Sequence, residues 1–155
     1  MSDADRELRV SKIKSGTVID HITGGQALNV LALLGIDGSD GEAVSVAMNV
    51  PSDRMGHKDV VKVENRELSQ DELDVLALIA PDATINIIRD YEVVEKSRVD
   101  RPERVVGVLE CPNRACISRT GEPVASKFEV LPDGVRCEYC GTIVREGIAD
   151  HIESA

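Results

Sequence analysis

Aromatic side chains are nearly missing from this chain of 155 residues, which has no tryptophan, one phenylalanine and two tyrosines. Its core must therefore consist of aliphatic side chains. A small domain built in this way is marginally stable unless a metal ion or a disulfide supports it. All four cysteines lie after residue 110, so we expect such a support in the C-terminal part of the chain.

Positive charge is also scarce, because 18 Lys and Arg residues stand against 28 Asp and Glu residues and give a formal net charge of −10. Nucleic-acid binding requires a basic surface that neutralises phosphates, so this composition excludes a general nucleic-acid binder. The acidic excess, together with 12 arginines against 6 lysines, resembles proteins adapted to high salt. We therefore expect the stability of the chain to depend on salt concentration.

Long hydrophobic runs are missing too. The longest stretch without a charged residue covers residues 22–36 and is interrupted by glycine, glutamine and asparagine. It is too short and too polar to span a bilayer. Residues 1–10 lack the apolar segment of a secretory signal, so we expect a cytoplasmic protein.

A charged stretch at residues 95–104 separates two unlike regions. We expect a first domain at residues 1–101 and a second at residues 102–155, with a linker or hinge near Pro102. The second region combines the cysteines with short valine-rich segments between Gly, Pro and Asp turns. This pattern predicts a small antiparallel β domain.

Two helices are predicted in the first region. The first is expected to be capped by Thr23 and to end at Gly35, a residue type that often follows the last turn of a helix. The second begins with a capping box formed by Ser69 and Glu72. Pro81 prevents this helix from extending further.

Strand-like segments surround these helices and show the period-two alternation that is typical of β-structure. Together they give the order β, α, β, β, α, β with one added strand. This is the order of a ferredoxin-like α+β fold, in which an antiparallel sheet carries both helices on one face. The segments are residues 8–14, 17–22, 42–50, 57–64, 83–88 and 91–95.

The face of the sheet without helices must be solvated, bind a ligand or meet a partner. Alternation places Lys58, Val60 and Lys62 on one side of their strand, and Asn86 and Ile88 on one side of theirs. The side with Lys62 and Asn86 mixes polar and apolar residues, as a small-molecule site does.

Lysine is concentrated in the first region, which holds five of the 6 lysines. Two interpretations stay open: these lysines form ordinary solvated surface, or they line a cationic pocket for an anionic metabolite. They are Lys12, Lys14, Lys58, Lys62 and Lys96.

The four cysteines form two close pairs. Cys111 and Cys116 enclose four residues, Cys137 and Cys140 enclose two, and 20 residues separate the pairs. Two close pairs joined by a hairpin can complete a tetrahedral shell of four thiolates, which favours one structural zinc ion per chain. A disulfide framework and an iron site remain as alternatives. We expect residues 102–155 to unfold without the metal.

Asp20 and His21 are neighbours and would suit acid–base chemistry. Because successive strand residues point to opposite faces, we expect no direct catalytic couple and assign His21 a structural or ligand-contact role. The sequence contains no phosphate-binding loop, dinucleotide fingerprint, zinc-protease helix or nucleophile elbow. The interpretation is therefore a chain that is not an enzyme, with His57 and His151 at its surface.

A series of distinctive strings runs through both regions. In the order in which they occur, from about Leu8 to Val144, they resemble the regulatory chain of aspartate carbamoyltransferase, the enzyme that commits carbamoyl phosphate and aspartate to pyrimidine synthesis. The strings are GTVIDHI (16–22), NVPSDRMGHKDVVKVEN (49–65), LALIAPDATIN (76–86), YEVVEKSR (91–98), PERV (102–105), CPNRACIS (111–118), EPV (122–124) and CEYC (137–140).

This resemblance implies a non-catalytic subunit with two functions. The first region would bind CTP, with UTP, as a feedback inhibitor, and ATP as a competing activator. The second would be a zinc domain that docks on the catalytic chain. Regulatory chains of this family form dimers that join two catalytic trimers through their nucleotide domains, and nucleotide occupancy shifts the quaternary state of the catalytic chains.

The resemblance also implies a nucleotide site when it is carried over by position. Lys62 and Lys96 would hold phosphates and ribose, while Asp20 and backbone groups near Tyr91 and Ile13 would read the base. The full set is Val10, Ser11, Lys12, Ile13, Val18, Asp20, His21, Val60, Lys62, Asn86, Ile88, Tyr91, Val93 and Lys96.

Two other function classes stay open. A zinc-dependent adaptor would bind a protein partner but no nucleotide, so the substitution Lys62→Ala would leave its regulation of the partner intact. An enzyme that uses the region of Asp20 and His21 would turn over a small substrate as an isolated chain.

Overall fold

The computed structural model describes residues 13–152. The first predicted strand, at residues 8–14, therefore lies mostly outside the described residues. In the described part, no helix is both long enough and apolar enough to cross a membrane.

A five-stranded antiparallel sheet forms the first region, in the spatial order β2-β3-β1-β4-β5. Its central strand begins at Gly16, where a Cβ atom would stand 2.1 Å from the carbonyl oxygen of Val63, so only glycine fits. The predicted ferredoxin-like arrangement with one added strand is confirmed. The strands are β1 (Gly16–Thr23), β2 (Val44–Ser52), β3 (Gly56–Glu64), β4 (Thr84–Arg89) and β5 (Glu92–Arg98).

Aliphatic residues from the central strands build one buried face of this sheet. Ile19 pairs with Val61 on one side and with Ile85 on the other, and all three side chains are buried. Helices α1 (Ala27–Leu33) and α2 (Gln70–Ile79) pack against this face in a single apolar core. The two helices thus lie on one face, as the order of helices and strands predicts.

Helix α2 begins as its sequence predicts. The Ser69 hydroxyl accepts a hydrogen bond from the Glu72 N–H at 3.2 Å, and the Glu72 carboxylate accepts one from the Ser69 N–H at 3.1 Å. The capping box is therefore complete. The last helical residue is Ile79, two positions before Pro81.

Helix α1 begins differently from the prediction. Its N-cap is Gln26, and the predicted cap Thr23 lies three residues earlier, at the end of β1. The helix N-terminus is instead satisfied by Asp59 from β3, whose Oδ2 accepts hydrogen bonds from the N–H groups of Gly25 and Ala27 at 2.9 Å. The Thr23 prediction was wrong because a carboxylate distant in sequence supplies the cap.

The end of helix α1 agrees with the prediction. Gly35 has a left-handed backbone with φ of 68°, and its N–H donates to the carbonyl of Ala32. The Ile36 N–H donates to the carbonyl of Leu31 at 2.9 Å. These two bonds form the Schellman motif, which a glycine at this position allows without strain.

The second region contains a four-stranded antiparallel sheet in the order β6-β7-β8-β9. Phe128, Leu109 and Val135 are its largest fully buried apolar side chains. The predicted small all-β domain with four cysteines is confirmed. Its strands are β6 (Arg104–Val106), β7 (Lys127–Leu131), β8 (Gly134–Cys137) and β9 (Ile143–Val144).

The two regions pack against each other. Val99, within the charged stretch at residues 95–104, and Val105, directly after it, are both buried in the common core. A cavity of about 220 Å³ between the regions is lined by Val75 of helix α2 and by Val108 and Ile152 of the second region. The connection therefore joins two parts that share apolar contacts.

The acidic composition leads to a prediction about stability. We expect the metal-loaded chain to melt at least about 5 °C higher in about 2 M KCl than in about 0.1 M KCl, which corresponds to roughly 2 kcal/mol for a chain of this size. A net charge of −10 opposes the compact state, and salt reduces the Debye length from about 10 Å to below 3 Å. Differential scanning calorimetry at several salt concentrations measures this shift.

A charge-reduced variant is the matched control for this salt effect. Glu92 and Glu95 are exposed on the edge strand β5, and Glu92→Gln with Glu95→Gln removes two negative charges at similar volume. This variant should melt at a higher temperature than the wild type in low salt and gain less from added KCl. A wild-type melting temperature that does not change with KCl would contradict the prediction.

Candidate nucleotide face and metal centre

The face of the five-stranded sheet opposite the helices carries a row of residues in register. Val18 pairs with Lys62 on β3 and with Asn86 on β4, and Asn86 pairs with Lys96 on β5. Neighbouring strands lie about 4.8 Å apart, so the backbones of Lys62 and Lys96 are separated by about 14 Å. The long side chains of the two lysines flank a surface formed by Val18 and Asn86.

A β-bulge interrupts this face beside the row. The pairing of β1 with β3 shifts between Ile19 and Ile22, so Asp20 and His21 together lie opposite Val60. His21 has a φ of 56°, which fits a bulge and not a regular strand. The expectation that Asp20 and His21 point to opposite faces was therefore wrong, since alternation fails at a bulge.

Asp20 and His21 have separate side-chain partners. The Asp20 carboxylate forms an ion pair with Lys58 Nζ at 2.9 Å and accepts the backbone N–H of His21 at 2.6 Å. His21 Nδ1 is 3.0 Å from the Thr84 hydroxyl but 4.0 Å from the Asp20 carboxylate. The imidazole therefore makes no hydrogen bond to the carboxylate, and the pair is not arranged as a catalytic couple.

Burial is the main reason that the pKa of His21 lies below its ordinary value. Asp20 opposes this shift, while the positive charges of Lys58, Arg54 and Lys96 add to it. The surroundings therefore favour the neutral imidazole. In this form it offers one hydrogen-bond donor and one acceptor to its surroundings.

A tight turn between β4 and β5 brings Tyr91 near the beginning of the described chain. Asp90 and Tyr91 both have positive φ, of 51° and 67°, as a two-residue hairpin turn requires. The Tyr91 N–H donates a hydrogen bond to the carbonyl of Lys14 at 2.9 Å. Tyr91 therefore lies beside the segment that contains Ile13, although its own side chain is largely exposed.

The structure distributes the predicted nucleotide residues over four strands and two flanking segments. Ile13 and Ile88 are buried, while Val93 and Lys96 are exposed on β5. The residue set implied by the resemblance leaves out Lys58, although the sequence already placed it among the lysines of a candidate cationic pocket and on the same side of β3 as Lys62. In the structure its Nζ contacts Asp20. The predicted residues Val10, Ser11 and Lys12 lie outside the described residues.

The four cysteine sulfurs meet at one point of the second region. All four Sγ atoms lie within 4.8 Å of one another, with 3.6 Å between Cys111 and Cys140 and 3.7 Å between Cys116 and Cys137. A disulfide needs about 2.05 Å between sulfurs, so these cysteines are not bonded in pairs. Metal–sulfur bonds of about 2.3 Å in a tetrahedron place sulfurs about 3.8 Å apart, and the observed distances fit this spacing.

Backbone N–H groups surround these sulfurs in a repeated pattern. Each cysteine sulfur accepts a hydrogen bond from the N–H group two positions later in the chain. Arg119 also fixes the first turn, because its guanidinium donates to the carbonyl of Cys111 at 2.6 Å and pairs with Glu110 at 2.9 Å. These N–H donors belong to Asn113, Ser118, Tyr139 and Thr142, and the N–H of Cys140 also donates to the sulfur of Cys137.

The surroundings of the sulfurs divide the four thiols into two classes. Burial raises the pKa of Cys111 to about 12 and raises that of Cys137 as well. The hydrogen bond from the Thr142 side chain lowers the pKa of Cys140 to about 6, and donors from Ser118 outweigh burial and lower the pKa of Cys116. The second cysteine of each pair thus has the more polar surroundings, with a hydroxyl residue two positions later in the chain.

Comparison with known proteins identifies both regions. Residues 8–100 match the model of the aspartate carbamoyltransferase regulatory chain, allosteric domain, and residues 103–150 match that of its metal-binding domain. The chain is 73% identical to the aspartate carbamoyltransferase regulatory chain of Haloarcula marismortui over 98% of each chain. It is 71% identical to that of Natronomonas pharaonis, over 97% of this chain and 99% of the relative.

A relative with lower sequence identity matches over the same share of the chain. The regulatory chain of Methanoculleus marisnigri is 59% identical over 97% of each chain. The resemblance seen in the sequence is therefore confirmed along almost its whole length. This protein belongs to the family of aspartate carbamoyltransferase regulatory chains, which are non-catalytic subunits with an allosteric domain and a metal-binding domain.

Proposed function

We propose that this chain binds CTP, with UTP, as a feedback inhibitor of aspartate carbamoyltransferase in the cytoplasm, and that ATP competes for the same site as an activator. The observation that carries this proposal is the row of Lys62, Val18, Asn86 and Lys96 across the open face of the sheet. The row combines positive charge at both ends with polar and apolar groups between them. These are the features that a nucleotide requires of its binding site.

Charge supports the choice of an anionic ligand. The chain has a net charge of −10, yet Lys58, Lys62 and Lys96 all lie on this face of the sheet. In the proposed complex, Lys62 and Lys96 hold the phosphates and ribose. Asp20 and the backbone near Tyr91 and Ile13 read the base, and the hydrogen bond from Tyr91 to Lys14 keeps these segments together.

The function of such a site is allosteric. A nucleotide that favours one quaternary state shifts the catalytic chains by no more than its difference in affinity for the two states, typically about 1–3 kcal/mol. We assign residues 1–101 to the nucleotide domain and to formation of a regulatory dimer, and residues 102–155 to docking on the catalytic chain. The common apolar core that contains Val99 and Val105 supports mechanical coupling between the two parts.

Zinc is the metal that we propose for the four cysteines, with one ion per chain. Four thiolates fill its tetrahedral shell and leave no position for water or substrate, so the role is structural. The cytoplasmic location favours a metal centre over disulfides. Iron has the same ligand preference, and metal analysis of the purified chain distinguishes the two ions.

Nucleotide binding gives a direct test of this proposal. We expect CTP to bind the metal-loaded chain at one site, with ATP as a competitor, and Lys62→Ala or Lys96→Ala to weaken CTP binding by about 10- to 100-fold. Each lysine contributes a charge-assisted hydrogen bond to the phosphates, which is worth about 1.5–3 kcal/mol. Isothermal titration calorimetry in high salt measures the dissociation constants.

Lys127→Ala is the matched control, because Lys127 is the exposed lysine of the second region and lies on β7, away from the nucleotide face. It should leave CTP affinity unchanged. Equal losses of CTP affinity in Lys62→Ala, Lys96→Ala and Lys127→Ala would show that binding depends only on the net charge of the chain. A wild-type chain that is folded and binds the catalytic chain, but binds no nucleotide, would favour the alternative function of a zinc-dependent adaptor.

A further inference from the structure

Two side-chain hydroxyls lie against sulfurs of the metal centre. Ser118 Oγ is 3.2 Å from Cys116 Sγ, and Thr142 Oγ1 is 3.1 Å from Cys140 Sγ. Each hydroxyl residue stands two positions after the second cysteine of its pair. The two turns of the site therefore repeat the same arrangement.

The residues two positions after the first cysteine of each pair are Asn113 and Tyr139, and they have no aliphatic hydroxyl that contacts a sulfur. Asn113 Oδ1 accepts the N–H of Ala115 at 3.0 Å and closes the first turn, and the Asn113 side chain also makes a hydrogen bond to the sulfur of Cys140. The Tyr139 hydroxyl donates to the carbonyl of Ala125 at 3.0 Å. Hydroxyl contacts to sulfur are thus found at the second cysteine of each pair, where the backbone N–H group of the same residue already donates to the sulfur.

We propose that Ser118 and Thr142 are positioning residues of the metal centre, whose hydroxyls donate hydrogen bonds to the metal-bound thiolates of Cys116 and Cys140. Four thiolates and one divalent ion carry a net charge of about −2. Hydrogen bonds that reach the sulfurs disperse this charge and fix the direction of their lone pairs. The hydroxyls therefore increase metal affinity and lower the energy of the sulfur electrons.

Isosteric substitutions separate the hydroxyl from the shape of the side chain. Thr142→Val removes the oxygen and keeps the branched shape, whereas Thr142→Ser keeps the oxygen. Ser118→Ala makes the corresponding change at the other pair. Thr120→Val is the matched control, because the Thr120 hydroxyl donates to the carbonyl of Ile117 at 3.2 Å and not to a sulfur.

The test uses the full chain with two measurements. Competition with a zinc chelator should show metal affinity about 10-fold lower for Thr142→Val and for Ser118→Ala, as is typical when a partner of a metal ligand is lost. In the chain loaded with Co²⁺, the sulfur-to-cobalt charge-transfer bands of these two variants should move to lower energy. Thr142→Ser and Thr120→Val should match the wild type in both measurements.

The inference rests on occupation of the four-cysteine site by a metal, and its failure can be told apart from failure of that site. A wild-type chain that shows no sulfur-to-cobalt bands would overturn the metal site and the inference together. A wild-type chain that shows them, with bands and affinity unchanged in Thr142→Val and Ser118→Ala, would overturn the inference alone. The inference would also be overturned if Thr142→Ser or Thr120→Val changed the metal affinity and the sulfur-to-cobalt bands as much as Thr142→Val does.

Discussion

Removal of the metal should unfold the second region while the five-stranded sheet keeps its secondary structure. We expect a chelator, or the substitution Cys137→Ser, to make residues 103–150 susceptible to proteolysis and to leave a resistant fragment that contains β1 to β5. Cys137 is fully buried, and its sulfur lies 3.7 Å from that of Cys116, so its loss removes a ligand from the centre of the site. Limited proteolysis with mass spectrometry and circular dichroism measures both effects.

The size of this effect follows from the small apolar core of the second region. Phe128, Leu109 and Val135 are its largest buried side chains outside the cysteines, and β9 has only two residues. A segment of about 50 residues with so few large apolar groups is marginal without a staple. Binding of a structural zinc ion contributes about 10–16 kcal/mol in apparent terms, more than such a core provides.

Metal restoration is the control for this prediction. Zinc added after the chelator should restore protection in the wild type but not in Cys137→Ser. Mercurial displacement of the metal should likewise release the chain from its catalytic partner. A chelated chain with proven metal loss and an unchanged proteolysis pattern would show that the core alone holds the second region.

Local sequence patterns predicted the elements whose stabilising groups are close together in sequence. The capping box of α2 joins Ser69 to Glu72, three residues apart, and the pattern was sufficient to define the start of that helix. The cysteines behave in the same way, since both turns of the metal site are short and their sulfurs converge. The capping box and each cysteine turn depend on a few consecutive residues, whereas the sheet of the second region brings the two turns together across 20 residues of sequence.

Predictions failed where the stabilising group is distant in sequence. The cap of α1 comes from Asp59, more than 30 residues away, and no local rule points to it. The bulge at Asp20 and His21 depends on the pairing of β1 with β3. One signal was present: Asp59 lies between Lys58 and Val60, so alternation places it on the apolar side of β3, where a carboxylate needs hydrogen-bond donors.

Asp59 is the residue whose replacement we expect to destabilise the first region most. It is fully buried and accepts three backbone hydrogen bonds, from Asn49 at 2.8 Å and from Gly25 and Ala27 at 2.9 Å. Asp59→Ala leaves these three N–H groups without an acceptor. Only the Ala27 N–H is buried, and an unsatisfied buried donor costs about 1–3 kcal/mol, whereas the N–H groups of the exposed residues Gly25 and Asn49 can bond to water and lose about 0.5–1.5 kcal/mol each. We therefore expect a loss of roughly 2–6 kcal/mol in the free energy of unfolding.

Asp59→Ala should also disturb the proposed nucleotide face. Asn49 belongs to the bulge of β2 that lies opposite Asp59, where the pairing shifts between Ala47 and Val50. Asp59 therefore joins the start of α1 to the register of β2 and β3, the strand that carries Lys58 and Lys62. We expect Asp59→Ala to weaken CTP binding even at temperatures where the variant is still folded.

Urea unfolding of the metal-loaded chain in high salt measures the stability change, with Asp53→Ala as the matched control. Asp53 is exposed on the loop between β2 and β3, so its replacement removes the same charge without leaving buried donors unsatisfied. Asp59→Asn should lose less than Asp59→Ala, because its amide oxygen can still accept from Gly25 and Ala27 while its NH2 group faces Asn49. If Asp59→Ala and Asp53→Ala were equally stable, the cap from β3 would have no part in holding α1, and the helix would depend on its packing alone.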